Sequence, residues 1–292
     1  MTVDVNGLVV RELHEPAEFQ EVDRLFTGIW RPGPGAASPI GFELIRALAH
    51  AGNYVAGAYD GTRLVGASVA FLAAPPGQAL HSHVTGARKG RGIGHALKLH
   101  QRAWALDRGL TRITWTFDPL VRRNAYFNLT KLGAVLSSYH QAFYGAIPDS
   151  INGGDDSDRV IALWRLDPSH AASATSTGHG DSVPVLPVLI AADDGHPLLL
   201  PSPPAADARL VRIDLPPDIE GLRRTDPAAA TAWRFAVREA LGGLLSEGAR
   251  VTGFHDRSGY VVDRVPPVYP SAPAAESTVR PDRTHMLESP NR

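Results

Sequence analysis

Apolar residues change period repeatedly along this chain, and each change marks an expected element. Residues 5–13 alternate apolar and polar side chains, which predicts a first strand. Pro16 suits the first turn of a helix, and Phe19, Val22, Leu25, Phe26 and Ile29 recur at helical spacing behind it. Trp30 opens a Gly/Pro loop, after which Ser38-Pro39 reads as the cap of a second helix. Ile40, Leu44, Ile45 and Leu48 form its inner stripe, with Gly52 just past its end. Tyr54–Tyr59 and Leu64–Leu72 read as strands joined at Asp60-Gly61, a hairpin signal. Ala79–Thr85 is a fourth strand. Ile93, Ala96, Leu97, Ala103 and Leu106 then line a helix that Gly109 ends. Arg112–Phe117 alternates again and stops at Asp118-Pro119. A helix carrying Ala125, Leu129 and Leu132 follows, and Val135–Tyr144 and Val160–Leu166 close the series as strands. The predicted order is β-α-α-β-β-β-loop-α-β-α-β-β, an α/β (α+β) protein with a mixed sheet.

The pattern then lapses. Residues 171–182 are small, polar and low in complexity, and read as a linker. A second segment starts near Val183, with a strand at Arg209–Leu215, a helix from Asp226-Pro227 carrying Trp233, Val237 and Leu241, and strands at Arg250–Phe254 and Tyr260–Val265. The expected division is 1–168, a linker over 169–183, a smaller α/β segment over 184–265 and a disordered tail over 266–292. The smaller segment reads as a degenerate half-repeat or cap with no cofactor site of its own.

Composition narrows the partners. The 292 residues hold 29 basic and 30 acidic side chains, which argues against a general nucleic-acid or membrane-surface binder. There is no cysteine, so disulfides, thiolate metal sites and a cysteine nucleophile are excluded. Neither a leader-like start nor a bilayer-length apolar run is evident, and a cytoplasmic protein is expected. Charge is nonetheless uneven: residues 81–134 carry ten Lys/Arg against Asp107 and Asp118.

That basic stretch surrounds Lys89-Gly90-Arg91-Gly92-Ile93-Gly94, where a strand gives way to a helix. Glycines let backbone N–H groups turn inward, and the helix start adds unpaired amides and a positive dipole end. This is a seat for phosphate oxygens. The P-loop ending Gly-Lys-Ser/Thr is absent. A dinucleotide fingerprint read from Gly90 fails at His95, although Asp118 stands where a ribose-binding acid would. The spacing Val84-x4-Lys89-x2-Gly92-x-Gly94 fits better, and resembles the acyl-CoA pyrophosphate loop of the GNAT acyltransferase superfamily. The resemblance covers roughly residues 8–167. The run 115–134, with Asp118, Asn124, Asn128 and Gly133, resembles a poorly characterised bacterial branch of predicted acetyltransferases.

The resemblance implies an acyl-CoA co-substrate whose pyrophosphate lies on Lys89, Gly90, Arg91, Gly92, Ile93 and Gly94. It implies that the fourth and fifth strands splay around the pantetheine arm, and that amides near Val84 and Thr85 polarise the thioester carbonyl. Asn124 and Asn128, four apart on one helix, could hydrogen-bond pantetheine or acceptor, or simply face solvent. Many members carry a tyrosine acid four residues before the glycine that ends this helix. Here that position is Leu129, and the asparagine often found eleven residues before the glycine is Arg122. Tyr126 is an alternative acid that points elsewhere on the helix.

His81 and His83 stand two apart on the fourth strand and are the candidate catalytic bases. Packing and a metal pair are the competing readings, the latter without a third ligand at a supporting spacing. Cations at 88, 89 and 91 predict a downward shift of the His83 pKa. Asp155, Asp156 and Asp158 have the wrong spacing for a calcium loop and read as a solvated turn. The expected function is an acyl-CoA-dependent N-acyltransferase, transferring acetyl or a group such as succinyl to a small amine or amino acid, as a monomer or homodimer. A CoA-binding regulatory module without catalysis and a dinucleotide oxidoreductase are the alternatives.

Overall fold

The computed structural model describes residues 2–5, 7–30, 38–88, 90–145, 155–167, 184–201 and 208–264. Lys89, the expected linker and the expected tail lie outside them. The first half forms an eight-stranded mixed sheet in the order β1-β2-β3-β4-β5-β6-β8-β7. Its strands are β1 (Thr2–Val5), β2 (Leu8–Glu12), β3 (Tyr54–Asp60), β4 (Arg63–Ala73), β5 (Ala79–Ala87), β6 (Arg112–Phe117), β7 (Val135–His140) and β8 (Arg159–Arg165). Neighbours pair antiparallel except β5 with β6, which run parallel. Helices α1 (Pro16–Trp30) and α2 (Phe42–His50) cover one part of the sheet with a core of Phe19, Val22, Phe26, Ile45, Val69 and Val84. Helix α3 (Ile93–Asp107) packs on β2, β3, β4, β5 and β6. Helix α4 (Arg122–Tyr126) runs on into a π turn over Phe127–Lys131.

Three local expectations are corrected. The first strand is two, because Gly7 turns with φ +74° and lets β1 fold back on β2. Ser38 does not cap α2: its hydroxyl donates to Ile40 O, and the helix starts later behind Gly41. Leu44 is then 52% exposed while Ile45 is buried. On α3 the inner face is rotated from the apolar stripe. Leu106 is exposed, and Lys98, His100, Gln101 and Trp104 are buried.

The second half is a five-stranded sheet, order β10-β9-β11-β13-β12, with only β9 and β11 parallel. Its strands are β9 (Val185–Ala191), β10 (Pro197–Leu199), β11 (Leu210–Asp214), β12 (Arg250–His255) and β13 (Gly259–Asp263). Helix α5 (Ile219–Thr225) and helix α6 (Pro227–Val237) pack against it, each begun by an aspartate, Asp218 and Asp226, that accepts a hydrogen bond from a first-turn amide. The α5 turn and the pair β9–β10 were not legible, since Pro216-Pro217 and Pro187 interrupt the apolar pattern there.

The two sheets share one hydrophobic cluster, running from Tyr54, Trp104 and Trp164 to Val211, Trp233 and Tyr260. Charge joins them too. Asp118, at the end of β6, accepts from Arg223 (2.6 Å) and Arg234 (2.9 Å), and Asp155 accepts from both arginines. Arg238 bonds Asp156 and Asp158, and Arg122 donates to Leu215 O. The run Asp155–Asp158 is therefore an anchoring segment, against the expected solvated turn, because it meets arginines from distant helices. Burial pushes the Asp118 carboxyl up, but Arg234 and then Arg223 more than offset it and hold it well below the usual carboxylate range.

Candidate functional site

The site begins where the sheet stops being a sheet. β5 and β6 pair only through Ala79–Arg112, Leu80–Ile113 and His81–Thr114, and the ladder then ends. β6 continues against β8, and β5 continues against β4 to Ala87. From Ser82 onward, the β6-facing edge of β5 has no strand partner among the described residues. A fork opens there, with Ser82 and Trp115 as the first residue on each arm. Unpaired strand edges carry free N–H and C=O groups, so this gap can accept an extended polar chain.

A bulge shapes the upper arm. Val69 of β4 lies opposite Val84, but Ala70 lies opposite Ser82, which leaves His83 as an extra residue. Ser82 and Thr85 consequently both reach towards α3, although they stand three positions apart. Ser82 accepts from Lys98, and Thr85 bonds Ser68, which itself accepts from Gln101. Val84 turns into the core beneath α1 and α2.

At the open end of the fork lies the glycine loop. Gly90, Arg91 and Gly92 have φ of +106°, +53° and +70°, and α3 starts at the next residue. No side chain caps the helix at Gly92. Beyond its chain neighbours, a Cβ added at Gly90, Gly92 or Gly94 would meet no atom of the described residues within 4 Å, so the loop is open on the sides those positions face. Arg91 pairs with Asp60, which takes up part of the charge the loop was expected to offer.

Solved structures that the chain is similar to include acetyltransferases. The ribosomal-protein-S5-alanine acetyltransferase from Vibrio fischeri has 15% identity and a TM-score of 0.46, covering 57% of this chain and 98% of its own. Aminoglycoside 6'-acetyltransferase type Ii has 18% identity and a TM-score of 0.44, covering 55% and 97%. An aminoglycoside 6'-N-acetyltransferase complexed with coenzyme A has 15% identity and a TM-score of 0.42, covering 55% and 97%. No family model matches the sequence. No curated protein matches it either. No residue's role is taken from these structures; the roles below rest on the geometry.

At the fork, His81 shares a hydrogen bond between Nδ1 and Thr114 Oγ1 (3.1 Å), and both His81 and His83 flank the ring of Phe71. Burial lowers the pKa of both. For His81, the neighbouring His83 and Lys98 add to burial and bring it to about 4. The direction is the expected one, but its main cause is desolvation, with no part from residues 88 and 91.

Asn128 is buried at the start of the π turn and Asn124 is half-buried on α4. Tyr126 faces Lys131 and Arg257, away from the fork. Leu129 packs on the shared core. Asp118 is committed to two arginines, which removes the residue that supported a dinucleotide site.

Sequence reading passed over Lys98, Gln101 and Thr114. Lys98 is 5% exposed; it donates to Ser82 Oγ (2.9 Å) and Gln101 Oε1 (3.2 Å) and lies 3.9 Å from the centre of the Trp115 ring. The available signal was the spacing Leu97, Gln101, Trp104, Ala105, which turns that side of α3 inward.

Proposed function

We propose that this chain is an N-acyltransferase of the GNAT type, moving an acetyl group from acetyl-CoA to a small amine or amino acid. The observation that carries the reading is the continuity of the left-handed glycine loop with the β5–β6 fork. Amides of residues 92–94 at the start of a fifteen-residue helix suit pyrophosphate oxygens. The unpaired edge of β5 suits an extended pantetheine arm, and amides near Val84 and Thr85 would polarise a thioester carbonyl. Lys89, Gly90, Arg91, Ile93, Asn124 and Asn128 are proposed as further contacts to the cofactor. Calorimetry with acetyl-CoA, succinyl-CoA, NAD and NADP tests it: micromolar CoA binding supports the reading, and binding of NAD alone would replace it.

His81 and His83 are proposed to take the proton of the incoming amine. A base works in its neutral form, so the rate should rise with pH through the pKa of whichever histidine acts. Both values are lowered, so the inflection lies below the ordinary 6.5, and near 4 if His81 is the base. His81→Gln and His83→Gln should be measured side by side with small primary amines. The variant that removes the base loses the inflection and recovers rate at high pH, with CoA affinity unchanged. Persistence of the inflection in both variants would exclude both residues.

A second reading, a CoA-binding module without turnover, draws on Leu129 standing where the related enzymes place a tyrosine. Release of free CoA in the presence of an amine separates the two.

A further inference from the structure

The acyl-transfer reading leaves the departing sulfur without a proton donor, since Leu129 has none to give. We propose that Lys98 is the acid that protonates the CoA thiolate as it leaves. This rests on that reading and adds a catalytic residue to it.

The argument is one of position. Lys98 Nζ bonds the side chain of Ser82 on one arm of the fork and lies over the ring of Trp115 on the other. These are the first residues beyond the last β5–β6 pair, so the ammonium sits at the vertex of the gap. From the vertex to the glycine loop, Ser82 to Ala87 spans ~17 Å of strand at about 3.3 Å per residue. Helix α3 starts at the loop and runs back over β5, so that Lys98, six residues after Gly92, meets Ser82 at the vertex. A pyrophosphate on the loop with its arm extended along β5 would direct the thioester end towards the vertex, where Nζ bonds Ser82.

Burial of a lysine in this way needs a reason, because an ammonium is costly to desolvate. Its partners are neutral: a hydroxyl, an amide oxygen and an indole face. Of the other titratable groups on the surrounding strands and on α3, His81 bonds Thr114 and lies close enough to feel the Lys98 charge, Tyr54 bonds His100 (2.9 Å), and Glu12 bonds Trp104 Nε1 (2.8 Å). His83 lies beside Phe71. Desolvation brings Lys98 down to about 7, which suits proton transfer at neutral pH.

In the step, the amine nitrogen bonds the carbonyl carbon and the C–S bond breaks with its electron pair going to sulfur. Lys98 Nζ–H passes its proton to that sulfur, giving the thiol and a neutral amine. The attacking nitrogen loses its proton to the base or to water, and Lys98 is reprotonated from solvent.

The test uses Lys98→Met in the full chain. With wild-type protein saturated with CoA, the thiolate absorbance is titrated against pH. The bound thiol is expected to ionise at lower pH than free CoA, and Lys98→Met is expected to raise its pKa by about one unit or more. With acetyl-CoA and hydroxylamine as acceptor, kcat should fall above pH 7 in the wild type. The variant should lose that alkaline fall and be about 100-fold slower or more at neutral pH. A variant that binds CoA and keeps the wild-type rate, pH profile and thiol pKa overturns the role of Lys98 alone. If the variant does not fold, an unshifted thiol in the wild-type complex overturns it. Absence of any CoA binding by the wild type instead removes the acyl-transfer reading, and this role with it.

Discussion

Asp118→Asn is expected to lower the unfolding free energy by about 3–5 kcal/mol, the usual result of removing one partner from a buried ion cluster. The carboxylate is the shared acceptor of Arg223 and Arg234, whose side chains are 3% and 1% exposed. Asparagine keeps the shape but removes the negative charge that Arg223 and Arg234 share, leaving them with Asp155 as a common carboxylate. Against a total stability of 5–15 kcal/mol for an average domain, a loss of this size is readily seen in urea unfolding. The pH dependence gives a second check. A carboxyl whose folded pKa lies below its unfolded value, about 4, adds stability above that unfolded value, and the contribution is lost as pH falls through the window beneath it. Asp118 and Asp158 both lie in this class, the first through Arg234 and Arg223, the second through Arg238 and Tyr139, against the opposing effect of burial. Wild-type stability should therefore drop steeply below pH 4, and Asp118→Asn should flatten that drop. An unchanged acid limb would show that the cluster contributes no net charge stabilisation.

Gly92→Val is expected to weaken CoA binding by 100-fold or more while the protein stays folded. Gly92 holds φ +70°, and a β-branched residue there costs about 1–2 kcal/mol in the free protein. Beyond its chain neighbours, no atom of the described residues lies within 4 Å of the added Cβ, so the cost within the protein is that of the left-handed backbone. The effect should come from what the side chain excludes. Valine at the start of α3 occupies the space in which an anion would approach the amides, and strain would also pull the loop from its left-handed run. Calorimetry with CoA and a melting curve on the same sample separate the two effects. Unchanged affinity in a folded variant would move the pyrophosphate site away from this loop.

Much of the architecture was legible because period reports burial. The strand into the loop, the glycines themselves and the helix behind them follow from apolar spacing and from the residues that interrupt it. What escaped were places where a distant partner redefines a residue. Asp155 and Asp158 look like solvent-facing acids until Arg234 and Arg238, some eighty positions later, come to rest on them. Lys98 looks like a polar break in an apolar face, and only the fork beneath it gives its burial a reason. Leu44 looked inward because spacing fixes which residues share a face but not where the face begins, which for α2 is set by Gly41 in place of Ser38.

The extra residue at His83 sets the local bend of β5 rather than which of its side chains are buried. Upstream of it, Leu80 and Ser82 point to α3; downstream, Thr85 does, and Val84 enters the other core. Most single replacements in this stretch leave that phase intact. Deleting His83 would join the Ala70–Ser82 and Val69–Val84 pairs into an unbroken ladder, leaving Ser82 and Thr85 on the α3 side and Val84 in the other core but removing the local kink beside the fork. Related chains could thus keep the buried contacts of this strand and still differ in how β5 parts from β6, according to whether the extra residue is present.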